Sequence, residues 1–308
     1  MAKINWFPGH MAKSLKELRN NVSKCDYIIE TCDSRLPLSS RNPQFNKLLK
    51  QKKYMLLMTK SDLADPAATQ KWLNYFQELF QKKNEISTES ASVMAINVLD
   101  KSDIKQIRAR ILADNQDVIE RAQSRGRRIR PIRVMINGIP NTGKSTLINS
   151  LIGKKSTQVS NRPGVTRSIN WLRASTDFEL MDTPGILWPK FETVQEQLNL
   201  AISGAIKDDL LPFIEIACGL ILILVQSYPE EFSNLFNLDL EATADYSNWL
   251  TSYEFLEKIA FKLNLIQSGG KPGLDRTSRR LITEYRQGKL GRFSLEFPDR
   301  KLIYPVSI

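Results

Sequence analysis

The run GIPNTGKST at residues 138–146 constrains the fold of this chain more than any other segment. It fits G-x-x-x-x-G-K-[ST] and lies between an apolar strand pattern at 132–136 and a helical pattern at 144–151, the context in which that spacing builds a phosphate-binding loop. The glycines let backbone N–H groups turn toward phosphate oxygens, and the helix that follows adds partial positive charge at its N-terminus. In this reading Lys144 bridges the β- and γ-phosphates and Ser145 ligates Mg²⁺. Asn141, Thr142, Gly143 and Thr146 complete the cradle. The alternative is a tight strand-to-helix turn with no ligand.

Two later segments fit the same chemistry. DTPG at 182–185 follows an apolar strand pattern at 178–181, so Asp182 can approach the metal through water while the Gly185 N–H faces the γ-phosphate. Alone, DTPG is a common turn. Between the two lies RPGVTR at 162–167, where Thr166 could close over Mg²⁺ when the γ-phosphate is present.

An earlier segment selects the base. TKSD at 59–62 ends a continuous apolar run at 54–58, of the kind found in a parallel strand covered on both faces. The carboxylate of Asp62 can accept from guanine N1–H and N2–H₂, whereas adenine offers no matching donors. Lys60 would pack its stem along the base, with Ser61 in the same turn. In isolation a strand-end turn with a surface Asp is the better reading of the tetrapeptide, and the phosphate loop reverses that. Thr59 stands where Asn is commoner, which predicts a weaker bond to the base or to the loop backbone. Residues 95–98 follow the next short strand and would supply a second base-contacting loop, with Asn97 and Val98 nearest the base.

The base-reading segment precedes the phosphate loop, so the GTPase motifs run in the order four, five, one, two, three. Such a circular permutation is physically possible because sheet neighbours, not chain neighbours, build the site. Strand patterns at 27–31, 54–58, 93–96, 132–136 and 178–181 alternate with helical ones at 11–22, 44–52, from Pro66 onward with Trp72, Leu73, Phe76, Leu79 and Phe80 at helical spacing, and at 102–122. The expected fold is α/β: a doubly wound, mostly parallel-sheet P-loop GTPase domain over 1–190, followed by an all-α domain over 191–308. A basic stretch, SRGRRIRPIR at 124–133, reads as a linker running into a strand. The apolar run at 214–225 is too short to span a bilayer and reads as a buried helix.

Charge enters where partners are concerned. The formal net charge of +11 suggests a partner rich in negative charge, although basic soluble chains and membrane-surface binders share such values. The stretch at 268–292 holds Lys271, Arg276, Arg279, Arg280, Arg286, Lys289 and Arg292 against only Asp275 and Glu284, while Leu281, Ile282 and Tyr285 supply an apolar face. Those cations are expected to face RNA phosphates, the alternative being a solvated helix face. Three cysteines without CxxC pairing argue against a disulfide framework or a zinc site. The first residues lack the long apolar stretch of a signal peptide, so a cytoplasmic location is expected.

The segments WFPGHMAK at 6–13, DSRLPLSSRNP at 33–43, TKSDLADP, GIPNTGKSTLIN, RPGVTR, DTPGILWPKF and GAIKD together resemble the ribosome biogenesis GTPase A family over almost the whole chain. The resemblance implies a permuted GTPase domain binding GTP or GDP with Mg²⁺, and a C-terminal helical domain that contacts ribosomal RNA. It also implies action late in large-subunit assembly, with the large ribosomal subunit or its precursor as partner; no membrane and no oligomer are expected. Ile186 follows Gly185, where many GTPases place a water-orienting Gln, and His10 is the only histidine. The resemblance implies His10 as the catalytic residue, orienting water at the γ-phosphate; a structural His capping 11–22 or packing by Trp6 is the alternative. Asn141 occupies the position that carries Asn in potassium-activated relatives, so its side-chain oxygen could help hold K⁺. A nucleotide-dependent kinase would not need TKSD, and a translational GTPase would carry the motifs in conventional order. A GTP-regulated RNA-binding protein acting outside large-subunit assembly stays open.

Overall fold

The central sheet has the strand order β3-β2-β1-β4-β6-β5. The computed structural model describes residues 9–48, 52–82, 90–126, 129–153, 170–188, 191, 193–240 and 248–300. Strands β1 (Tyr27–Asp33), β2 (Lys53–Thr59), β3 (Ser90–Ala95), β4 (Ile132–Gly138) and β6 (Phe178–Asp182) run parallel, and β5 (Asn170–Arg173) pairs antiparallel with β6. Every residue of β1 and β2 is buried, as in parallel strands covered on both faces, β2 through its apolar run 54–58 and β1 with Glu30 and Asp33 paired to cations.

Strand β1 is the pivot of the topology. From it the chain steps outward through β2 to β3, then returns to lay β4 on the other side of β1, with Tyr27 opposite Val134 and Thr31 opposite Gly138. The reversal between β1 and β4 is a topological switch point, and loops leaving the carboxyl ends of such strands diverge to leave a crevice. The phosphate loop leaves β4 at that point, and the DSR loop leaves β1.

The two faces of the sheet are covered differently. On one, α3 (Lys101–Asp114) and α5 (Lys144–Ile152) bury Ile104, Ile107, Ile111, Leu147 and Leu151 with Ile29, Val134 and Ile136. On the other, Leu18 of α1 (Gly9–Val22) and Trp72 and Phe76 of α2 (Pro66–Gln81) join a core that also contains the C-terminal helices. Those helices are α6 (Val194–Ser203), α7 (Phe213–Ser227), α8 (Pro229–Phe236), α9 (Trp249–Lys262) and α10 (Leu274–Arg286). Helix α7 is buried from Ile216 to Val225, being surrounded by helices rather than lipid. Among the described residues no helix is long and apolar enough to cross a membrane.

Local chemistry explains where the structure departs from the sequence reading. The helix expected over 102–122 is two helices, α3 and α4 (Gln116–Ser124), divided at Asn115, whose buried side chain donates to the Ile111 carbonyl at 2.7 Å. Within the expected 44–52 helix, Pro43–Leu48 forms a 3₁₀ turn, entered where Asn42 Oδ1 accepts the Gln44 N–H at 3.0 Å. Strand β5 was not expected at all. It is a four-residue edge strand, with Arg133 lying over the exposed Trp171 ring at 5.2 Å.

Candidate nucleotide site

The phosphate loop is shaped by close approach. A Cβ at Gly138 would lie 2.2 Å from Thr31 Oγ1, so this position tolerates only glycine. Thr31 and Thr142 share a hydroxyl–hydroxyl hydrogen bond of 2.7 Å, which ties the loop to β1. Asn141 and Gly143 take left-handed backbone conformations (φ +62° and +78°), and α5 begins at the next residue, Lys144. Gly185 packs on the same loop, where a Cβ would meet Pro140 N at 2.8 Å. The next side chain, Ile186, is fully buried in the core, so it takes no part in positioning water.

Lys144 and Asp182 face each other here with little else to bond. Their side chains are 8% and 5% exposed, the Nζ–Oδ1 separation is 3.9 Å, and Asp182 Oδ1 has no hydrogen-bond partner among the described residues. Burial pushes the Lys144 amine down from its ordinary pKa, and the neighbouring Asp182 only partly offsets this. Burial likewise raises the Asp182 carboxyl, against the pull of Lys144. A buried cation and carboxylate lacking close partners are costly unless a ligand completes them. A polyphosphate with a divalent cation supplies both missing partners, so the residues present fit Mg²⁺ and nucleotide.

The base-reading side is built from loops at the ends of β2 and β3. The Ile96 N–H donates to the Met58 carbonyl at 2.8 Å and the Ser61 N–H to the Ile96 carbonyl at 3.1 Å, which locks the two loops together. The Asn97 N–H donates to Asp103 Oδ2 at 2.8 Å, while its side-chain oxygen accepts from the Leu99 N–H at 3.0 Å. Asp62 is exposed, and no hydrogen bond engages its carboxylate among the described residues. The hydroxyl of Thr59 lies 2.8 Å from the Thr142 carbonyl and 2.9 Å from the Cys32 carbonyl, donating to either. The loop bond expected to be weakened by Thr in place of Asn is therefore present, made by a shorter side chain in a closely packed corner.

These pieces converge on one cavity of about 680 Å³, within the usual range for small-molecule sites. Its walls include Lys60, Asp62, Asn97, Val98, Asn141, Gly143, Lys144, Ser145 and Thr146, drawn from three separated stretches of chain. Thr166 and the side chain of His10 lie outside the described residues. The Asn141 amide nitrogen donates to the Gly204 carbonyl.

Several residues at the site carried no assigned role in the sequence. Asp33 is buried and pairs with Arg35 Nη2 and Lys60 Nζ, each at 2.8 Å. Burial alone would raise its carboxyl, but those two cations outweigh it and hold the group well below the usual carboxylate range. Burial pushes the Lys60 amine down, and Asp33 restores only part of that. Glu296, also buried, accepts the backbone N–H groups of Leu38 and Ser39 at 2.7 and 3.0 Å and so fixes the DSR loop. The position of Asp33, at the carboxyl end of the strand beside β4, was the available signal.

The C-terminal cations divide. Lys271, Arg276, Arg279, Arg280 and Lys289 are exposed, with Arg279 and Arg280 paired to Asp275 and Glu284 along the helix. Arg286 and Arg292, expected to face RNA, are also engaged on the protein itself, Arg286 half-buried and Arg292 exposed. Arg286 donates to the Ile202 and Ala201 carbonyls at 2.8 and 2.9 Å, and Arg292 to those of Ala64 and Ser61, both at 2.9 Å. The acceptors are carbonyls at a helix end and in a tight loop, which have lone pairs left for a cation.

Comparison with known proteins agrees with this geometry. A family model described as 50S ribosome-binding GTPase matches residues 133–247. Ribosome biogenesis GTPase A of Bacillus cereus is 36% identical over 296 residues, spanning 96% of this chain and 94% of that protein. Mitochondrial ribosome-associated GTPase 1 of Mus musculus is 31% identical over 318 residues, spanning 97% and 90%. The crystal structure of GNP-bound YlqF from T. maritima shares the fold, with a TM-score of 0.59 and 24% identity over 94% of this chain and all of that one. With the base-reading and phosphate-loop segments gathered on one crevice and this similarity running the length of the chain, the protein belongs to the ribosome biogenesis GTPase A family.

Proposed function

We propose that this protein binds the large ribosomal subunit or its precursor and hydrolyses GTP there to drive or check a late step of subunit assembly. The observation that carries the chemical half is the convergence of the base-reading, second base-contacting and phosphate-loop segments on the 680 Å³ cavity. The names of the relatives carry the ribosomal half. Mg²⁺, when bound through Ser145 and Asp182, neutralises charge that develops on the phosphates. Lys144 binds the phosphates, the loop N–H groups orient them, and Asp62 selects guanine. The separation of GTPase and helical domains near residue 190, and a cytoplasmic location, belong to the same proposal.

Hydrolysis needs an oriented water, and with Ile186 in the core His10 is our candidate for that role. Thr166 would close over the metal when the γ-phosphate is present, with the Gly185 N–H facing that group. Asn141 is proposed to help hold K⁺, which requires its amide to leave Gly204 or to present its oxygen alongside that bond. Ribosomal RNA would meet the exposed cations Lys271, Arg276, Arg279, Arg280 and Lys289.

The deciding experiment measures GTP turnover with and without large-subunit precursor particles. We expect low basal turnover, stimulated by the particle; no turnover in either condition overturns the proposal. His10→Ala should keep GTP affinity and lose particle-stimulated turnover, and a wild-type rate removes the role of His10. Equal rates in K⁺ and Na⁺ remove the role of Asn141 toward potassium.

A further inference from the structure

Arg286 lines one end of the cavity, and Arg292 holds the base-reading loop that lines the other. Helix α6 ends at Gly204, whose left-handed backbone (φ +78°) closes a cap in which the Gly204 and Ala205 N–H groups donate to the Ala201 and Leu200 carbonyls at 3.2 and 3.0 Å. The Arg286 guanidinium lies against that end, bonding the Ala201 and Ile202 carbonyls and Asp208 at once. The geometry is favourable, since a helix C-terminus carries negative partial charge and a cation there complements it. The Gly204 carbonyl, held in this way, accepts the Asn141 amide of the phosphate loop. There is no spare room: a Cβ on Gly204 would meet both the Arg286 guanidinium and the Asn141 amide at 3.2 Å.

At the other end, the turn after α10 covers the base-reading loop. Arg292 binds the carbonyls of Ser61 and Ala64, on either side of Asp62 and Leu63. Gly288 sits against Leu63, where a Cβ would approach its Cδ2 to 2.6 Å. Thr283, Arg286 and Gln287 line the cavity itself.

We propose that the segment 283–292 is a built-in part of the nucleotide site, with Arg286 positioning the phosphate loop through Gly204 and Asn141, and Arg292 positioning the guanine-reading carboxylate of Asp62. This rests on the guanine nucleotide reading above. Neither arginine is a catalytic residue; each acts through a loop it holds. The consequence is a division of labour that a general packing role does not produce. Arg286 governs affinity for the phosphates of any nucleotide, whereas Arg292 governs discrimination between bases.

The test is titration of the full-length protein with fluorescently labelled GDP, and competition by GTP and inosine diphosphate, which lacks the guanine 2-amino group. A hydrogen-bonded charge in such a place corresponds to roughly a ten- to hundredfold change in equilibrium. Arg286→Ala should weaken GDP and GTP by such a factor and leave the GDP-to-inosine-diphosphate ratio unchanged. Arg292→Ala should chiefly lower that ratio. Lys258→Ala, an exposed change on α9, should alter neither. If Arg286→Ala lowers the number of binding-competent molecules instead of the affinity, Arg286→Lys carries the test, because it keeps the charge at the helix end and loses the fork that bonds two carbonyls and Asp208 at once. The same loss of affinity is expected there. Variant affinities and ratios within twofold of wild type overturn the inference. A wild-type chain that binds no guanine nucleotide overturns the reading on which it rests.

Discussion

The two faces of the sheet are sealed by different kinds of core. Beneath α3 and α5 the interior is almost wholly aliphatic, and the ion pair beside it joins the buried Lys53 to Asp117, whose carboxylate is part exposed. Beneath α2 and the C-terminal helices the interior contains charge: Asp33 with Arg35 and Lys60, Glu30 with Arg41, and Glu296 among backbone N–H groups. A buried ion pair is an uncertain source of stability, but it fixes geometry because each charge must find its partner. The aliphatic face therefore serves as scaffold. The charged face registers the helical region against the nucleotide site.

That contrast can be broken most severely at Asp33. Asp33→Ala strands Arg35 and Lys60 in the interior, and chemical denaturation should show a loss of about 3–5 kcal/mol. On the aliphatic face, Ile136→Ala should cost about 2–4 kcal/mol by cavity formation alone, with no accompanying change in pH dependence.

The pH response sharpens the contrast further, because two carboxyls of the charged face act with opposite sign. Asp33 has a depressed pKa, so its contribution is complete above the unfolded value near ~3.9 and is lost as the pH falls through the folded value. Glu296 is raised: burial favours its neutral form, against the hydrogen bonds from Ser39, Leu38 and Asn199. The native state then holds a proton that the unfolded chain has released, so stability declines as the pH rises from about 4.3 through the folded pKa. Glu296→Gln should remove that decline, read from unfolding free energies across the window. The smallest effect belongs to an exposed pair: Asp275→Asn, which frees Arg279, should cost below about 1 kcal/mol.

How much of this was legible depended on the distance between partners. The phosphate loop announces itself because its glycines, Lys144 and the start of α5 are chain neighbours, and the strand before it is rich in β-branched and apolar residues. The partner of Thr59 could not be read from the sequence, because the carbonyl it reaches belongs to Thr142, 83 residues later. Arg286 and Arg280 look alike in composition, yet only Arg286 turns inward. Helical spacing held a clue, since Arg286 is one turn beyond the buried Ile282 and borders the apolar stripe. Arg292 offered no such signal, its partners being fixed by how the turn after α10 meets the base-reading loop. Strand β5 was hidden by its polar, four-residue length at a sheet edge.

The placement of β1 between β2 and β4 has a consequence for how the chain acquires its shape. During synthesis β1, β2 and β3 emerge first and can pair among themselves, but one edge of β1 stays open until Val134 arrives opposite Tyr27. Such an edge, with apolar side chains on both faces, is a template for wrong pairing. A nascent chain stopped before Ile132 therefore exposes the future centre of its own sheet, and ligand binding cannot rescue it, because the loop that would hold phosphate has not yet been made.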